Sequence, residues 1–132
     1  MNPHYVITLA ESEVARIEPQ GAALQVVLAA TTAQAFRHGQ PSEAGALLGL
    51  VLEVQQAHTQ GLAVLGDGLG RVRSAALQAG PQRLQSWALP WEGVAQGTLA
   101  MEFANGSHIS ISGSDWRLLV PNDLRFLPSM AC

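Results

Sequence analysis

Lysine is missing altogether from this 132-residue chain, whose seven positive charges are all arginines: Arg16, Arg37, Arg71, Arg73, Arg83, Arg117 and Arg125. Its absence removes Schiff-base catalysis and the phosphate-binding lysine of P-loop enzymes. The arginines are scattered, with Arg71 and Arg73 the densest spot, and the net charge is −3. Phosphate-backbone binding needs clustered basic residues that release counterions, so no nucleic-acid partner is expected. Charge of either sign is scarce: 13% of residues are charged, about half the roughly 25% usual in soluble domains. Part of the surface must then be neutral or apolar, which predicts a homo-oligomer or a small-molecule or protein partner.

Cysteine is nearly absent too. Cys132 is the only one, so no disulfide can form within the chain, and nothing points to an oxidising compartment. Met1 to Tyr5 show no basic n-region followed by an apolar stretch, so a cytoplasmic location is expected. The longest apolar run, Ala44 to Leu52, is bounded by Glu43 and Glu53 and is far short of the roughly 20 residues of a membrane helix. No membrane partner is expected.

What the chain does have is apolar residues recurring at period two between closely spaced turn residues, the pattern of half-buried strands joined by hairpins. Val14 to Glu18 and Leu24 to Leu28 flank Pro19-Gln20-Gly21 and predict a hairpin with proline and glycine in its turn. Residues 29–46 predict a loop or a single helical turn, with Ala29 to Phe36 its helical part. Leu47 to Val54 is rich in branched residues and reads as one strand buried on both faces. A short strand at Leu62 to Leu65, a turn at Asp67-Gly68 and a return strand from Arg71 to about Leu77 come next, then a further segment from Leu84 to Leu89.

The clearest signal is the last hairpin. Leu99, Met101 and Phe103 alternate with polar or small residues, Asn105-Gly106 makes the turn, and Ile109 and Ile111 alternate with His108, Ser110 and Ser112. Trp116 to Val120 predicts one more strand, and the tail over about 122–132 is expected to lie along the body through Phe126. Gly21, Leu24 and Val26 share their spacing with Gly106, Ile109 and Ile111, a three-position hint of duplication. The expectation is one all-β domain over 1–132, with about eight short strands forming a small antiparallel barrel or a two-sheet sandwich. The barrel is preferred because closure hides edges that no lysine guards.

No catalytic motif is present. Gly66-Asp67-Gly68-Leu69-Gly70 lacks the Gly-x-Gly-x-x-Gly spacing and reads as a turn. Ser107, His108 and Asp115 have the residue types of a hydrolase triad, but Ser107 and His108 are adjacent, so on a strand they point to opposite faces. His4, His38, His58 and His108 show no metal-ligand spacing, so no metal and no cofactor is expected.

Two places suit binding. Trp87 and Trp91 flank Pro90 and offer flat apolar faces for a ligand or a partner, or else plug the core. Arg71 and Arg73, two apart on one strand, could hold a carboxylate or a phosphate, or could simply decorate an exposed face. These four residues are the candidate binding site of a non-enzymatic ligand-binding or protein-interaction module. The alternative is a small enzyme whose acid or base is Glu102, Asp115 or His108, held near the last hairpin.

The Asn105-Gly106-Ser107 hairpin, the Leu89-Pro90 step and the closing run Phe126 to Cys132 together resemble small bacterial proteins of uncharacterised function. That resemblance implies an all-β fold and no particular activity.

Overall fold

In the computed structural model, which describes residues 4–61, 70–91 and 93–129, the chain is all-β and antiparallel. Its strands are β1 (His4–Gln20), β2 (Ala23–Arg37), β3 (Gln40–Leu48), β4 (Val51–Gly61), β5 (Val72–Ala79), β6 (Gln82–Leu84), β7 (Ser86–Leu89), β8 (Val94–Phe103), β9 (His108–Leu119) and β10 (Arg125–Pro128). They form one ten-stranded sheet in the order β10-β3-β2-β4-β9-β8-β5-β6, with β1 paired to β2 and β7. Among the described residues no helix is long and apolar enough to cross a membrane. The expected Leu62 to Leu65 strand and Asp67-Gly68 turn lie outside the described residues, as does Cys132.

The long hairpin β1–β2 is the hub, because its two ends serve different neighbours. Leu24 to Val27 of β2 pair with β4, whereas Thr31 to Arg37 pair with β3. Likewise Tyr5 to Thr8 of β1 pair with β7. Where β1 and β2 change neighbours they also change the face they bury, although side chains alternate strictly at period two. The chain solves this with irregularities that reverse the alternation. In β1 the buried positions run Ile7 and Leu9, then Ser12 and Val14, then Ile17, with shifts of register between Thr8 and Arg16. Glu11 takes a φ of 67° at the first reversal. Ser12, fully buried, secures it: its hydroxyl donates to the Thr8 carbonyl at 2.7 Å and accepts the Thr32 amide at 2.8 Å.

β2 shows the same reversal, from Leu24, Val26 and Leu28 to Thr31, Ala33 and Ala35. The loop or helical turn expected over 29–46 is therefore wrong: the segment is the second half of β2 followed by β3, turning at His38-Gly39. Alanine favours a helix in isolation, but Ala33 and Ala35 are buried beside paired strands on both edges, and tertiary pairing overrides a weak preference.

Three further expectations are corrected. Leu47 to Val54 is not one strand, since Gly49 at φ 90° ends β3 and Leu50 leads into β4. Pro19 is not in the first turn; it pairs with Leu24 in the ladder, and Gly21-Ala22 makes the turn. Trp116 to Leu119 continues β9 rather than adding a strand. The tail does run along the body, as β10 against Leu48 to Gly45 of β3, with Phe126 packed on the core.

The sheet is not closed into a barrel. β1 and β5 meet at one isolated bridge, Glu13 with Arg71, beside a Val14 N–H to Gly70 carbonyl bond of 3.0 Å. One hydrophobic cluster gathers residues from β1 through β9, with Trp116, Phe103, Met101, Leu77 and Ile111 among its most deeply buried members.

Candidate functional site

The outer face of β5, β8 and β9 follows from the alternation on its inner side. Leu99, Met101 and Phe103 of β8 and Ile109 and Ile111 of β9 are buried, so Ala100, Glu102, His108 and Ser110 face out. The ladders set these outward residues in two rows across three strands: Ser74, Glu102 and His108 in one, Ala76, Ala100 and Ser110 in the next. The alanine methyls are short, while Arg83 and Gln85 rise on one side and Glu102 and His108 on the other. The result is a groove of about 260 Å³ lined by these residues.

An irregularity in β5 finishes one rim. The register shifts between Val72 and Ser74, which leaves Arg73 as the extra residue, and a bulge of this kind re-aims a side chain. Arg73 reaches across to Glu102, Nη1 to Oε1 at 3.3 Å, and donates from Nη2 to the Ala104 carbonyl at 3.4 Å. Both partners are exposed, so the pair adds little stability, but it gives the Glu102 carboxylate a fixed partner.

Among the residues expected from sequence, the structure joins Glu102 with His108 in this groove and brings Arg73 to its rim. It does not join Asp115 to them. Asp115 lies seven residues from His108 along β9, about 23 Å at the rise of an extended strand, in a separate depression with Gly93, Val94 and Arg117. The Arg71 guanidinium does not join that of Arg73 at Glu102; it is 3.8 Å from Glu11. Trp87 is 4% exposed and belongs to the core, opposite Ile7 in the β1–β7 ladder. Trp91 is half-buried and stacks on it, ring centroids 5.0 Å apart at 25°. The Trp87 indole N–H is buried without a hydrogen-bond partner among the described residues. Ser107, His108 and Asp115 do not assemble: Ser107 is bound in its own turn, its hydroxyl 2.6 Å from Asn105 Oδ1.

The sequence reading missed Arg83, Gln85, Ser74, Ala76 and Ala100. Their signal is weak: small residues at outward positions of paired strands, flanked by longer polar ones, recognisable only once the register across three strands is known. A second polar hollow of about 240 Å³ lies farther along β9 beside Gln56, His58, Gln96 and Ser114. Between the two, Thr98 and Ser112 bond each other at 3.0 Å. Among the described residues no group of three or more His, Cys, Asp or Glu side chains could hold a metal ion.

The chain matches no family model, no curated protein and no solved structure.

Proposed function

We propose that the protein is a non-enzymatic binding module that takes a small polar ligand in the groove over β5, β6, β8 and β9. The observation that carries the reading is convergence: ladder register brings Arg83, Glu102, His108 and two serines around one alanine floor, on strands held by a buried core. Binding groups on rigid strands need little ordering when a ligand arrives. Size limits the ligand. At about 260 Å³ the groove sits below the roughly 300–1,000 Å³ of drug-sized sites, which favours a fragment-sized molecule over a nucleotide.

The test is native mass spectrometry of the protein sprayed with millimolar small polar fragments, alongside Ala100→Phe. Phenylalanine suits an exposed strand position and fills the floor of the groove. The wild-type chain is expected to retain extra mass that Ala100→Phe loses, with folding stability changed by no more than about 0.5 kcal/mol. Equal retention by both proteins would remove the groove from the account.

A second reading is favoured by one observation: Glu102 and His108 are direct partners in the β8–β9 ladder and border the same groove. That is the pairing an acid–base enzyme needs. It ranks below binding because both residues are exposed and Glu102 is engaged by Arg73. Turnover of an ester and amide panel, abolished by both Glu102→Gln and His108→Gln, would raise it above binding.

A further inference from the structure

We infer that the groove is a carboxylate site, with Arg83 as the fork that holds the acid group; this rests on the binding reading above. Charge is the first argument. The guanidiniums of Arg83 and Arg73 stand against one carboxylate, Glu102, so the site has a surplus positive charge in a chain of net charge −3. Glu102 does not oppose an incoming anion as a lone carboxylate would, because Arg73 neutralises it across the rim. Arg83 has no ion pair among the described residues, which leaves its planar set of donors available for a bidentate pair with a carboxylate.

The remaining groups agree in kind. Ser74 and Ser110 offer hydroxyls and Gln85 an amide, whereas Glu102 is the one carboxylate on the lining. The hydroxyls and the amide can each donate to a ligand oxygen, and Arg83 can only donate. One surplus positive charge matches a carboxylate better than a doubly charged phosphate, the chain has no lysine, and no glycine is among the residues that line the groove to cradle a phosphate. The Ala76 and Ala100 methyls form an apolar floor, suited to a small hydrocarbon body behind the acid group.

The experiment uses three planar probes of nearly one shape and different charge: benzoate, benzamide and benzamidinium. Each is titrated into the full ¹⁵N-labelled chain and followed by amide shifts, with wild type compared to Arg83→Gln and to Arg125→Gln as a distant control. Benzoate is expected to bind with a Kd on the order of 1 mM, as befits a fragment of this size, and at least about tenfold more tightly than the other two. Arg83→Gln is expected to lose that preference and Arg125→Gln to keep it. Alanine tripeptide with a free or an amidated C-terminus identifies the source: tighter binding of the free acid than of benzoate assigns the groove to a protein chain end, and the reverse to a free small acid. Preference for benzamide or benzamidinium, or undiminished benzoate binding by Arg83→Gln, overturns the carboxylate inference while the binding module stands. Failure of all these probes to shift any groove residue overturns both.

Discussion

Replacing Trp116 by alanine is expected to lower the stability of the protein by about 3–5 kcal/mol, the range for emptying a large aromatic site. Trp116 is the largest fully buried side chain, 1% exposed, and its indole N–H donates to the Gly113 carbonyl at 3.0 Å. Its inward aim depends on a reversal of alternation. Ile109 and Ile111 are buried at odd positions of β9, and Trp116 at an even one. Asp115, at φ 50°, absorbs the change. Gly93, just before β8, makes room for the same segment, since a Cβ there would collide with the Trp116 carbonyl oxygen. Against a total stability of roughly 5–15 kcal/mol, the loss is a large share of what holds the fold. Urea unfolding followed by circular dichroism measures it. A loss below about 1 kcal/mol would show that the core does not close around this ring.

Gly113→Val is the second large effect, and two physical arguments assign it opposite signs. Strand preference alone predicts a gain of up to about 1 kcal/mol from a β-branched residue. Packing predicts a loss of about 1–3 kcal/mol or more, because a Cβ here would lie 2.6 Å from the Gln55 backbone carbonyl oxygen and against the Val54 side chain. The packing argument wins, since a backbone oxygen cannot rotate away as the tip of a long side chain can. The crowding has a local cause. β4 leaves register between Gln55 and His58, with Gln56 at φ 51°, and the bulge leans on β9 at this glycine. A lower urea midpoint for Gly113→Val confirms the close approach of the strands; an unchanged or higher midpoint contradicts it.

These two positions also show what the sequence revealed and what it hid. The β8–β9 hairpin was legible because Leu99 to Phe103 and His108 to Ile111 each keep one phase of alternation, with Asn105-Gly106 between them. Longer strands were cut short wherever the phase reverses. β1 reverses near Glu11, β2 between Leu28 and Thr31, and β4 near Gln56, after which Ala57 packs on the core, so a period-two reading loses the signal there, and over 29–46 it gives a loop. Gly49 deceived in the other direction: its apolar neighbours Leu47, Leu50 and Leu52 are all buried, which hides a turn inside a hydrophobic run.

The candidate site was half legible for the same reason. Glu102 and His108 lie on the readable hairpin, whereas Ser74 and Arg83 reach the groove only through the pairing of β8 with β5 and of β5 with β6. Those contacts depend on strand order, which no local pattern encodes. Trp87 and Trp91 stood out as rare large aromatics. Their stacked arrangement, with Trp87 turned into the core, required the β1–β7 pairing to be seen.

The claim that the β5–β6–β8–β9 groove is where this protein binds its ligand is tested most directly by mapping amide shifts of the ¹⁵N-labelled chain with a mixed library of small acids, amides and amines. Perturbations are expected to concentrate at Ser74, Ala76, Ala100, Glu102, His108 and Ser110. Perturbations centred instead on Trp87 and Trp91, or scattered without a focus, would contradict it.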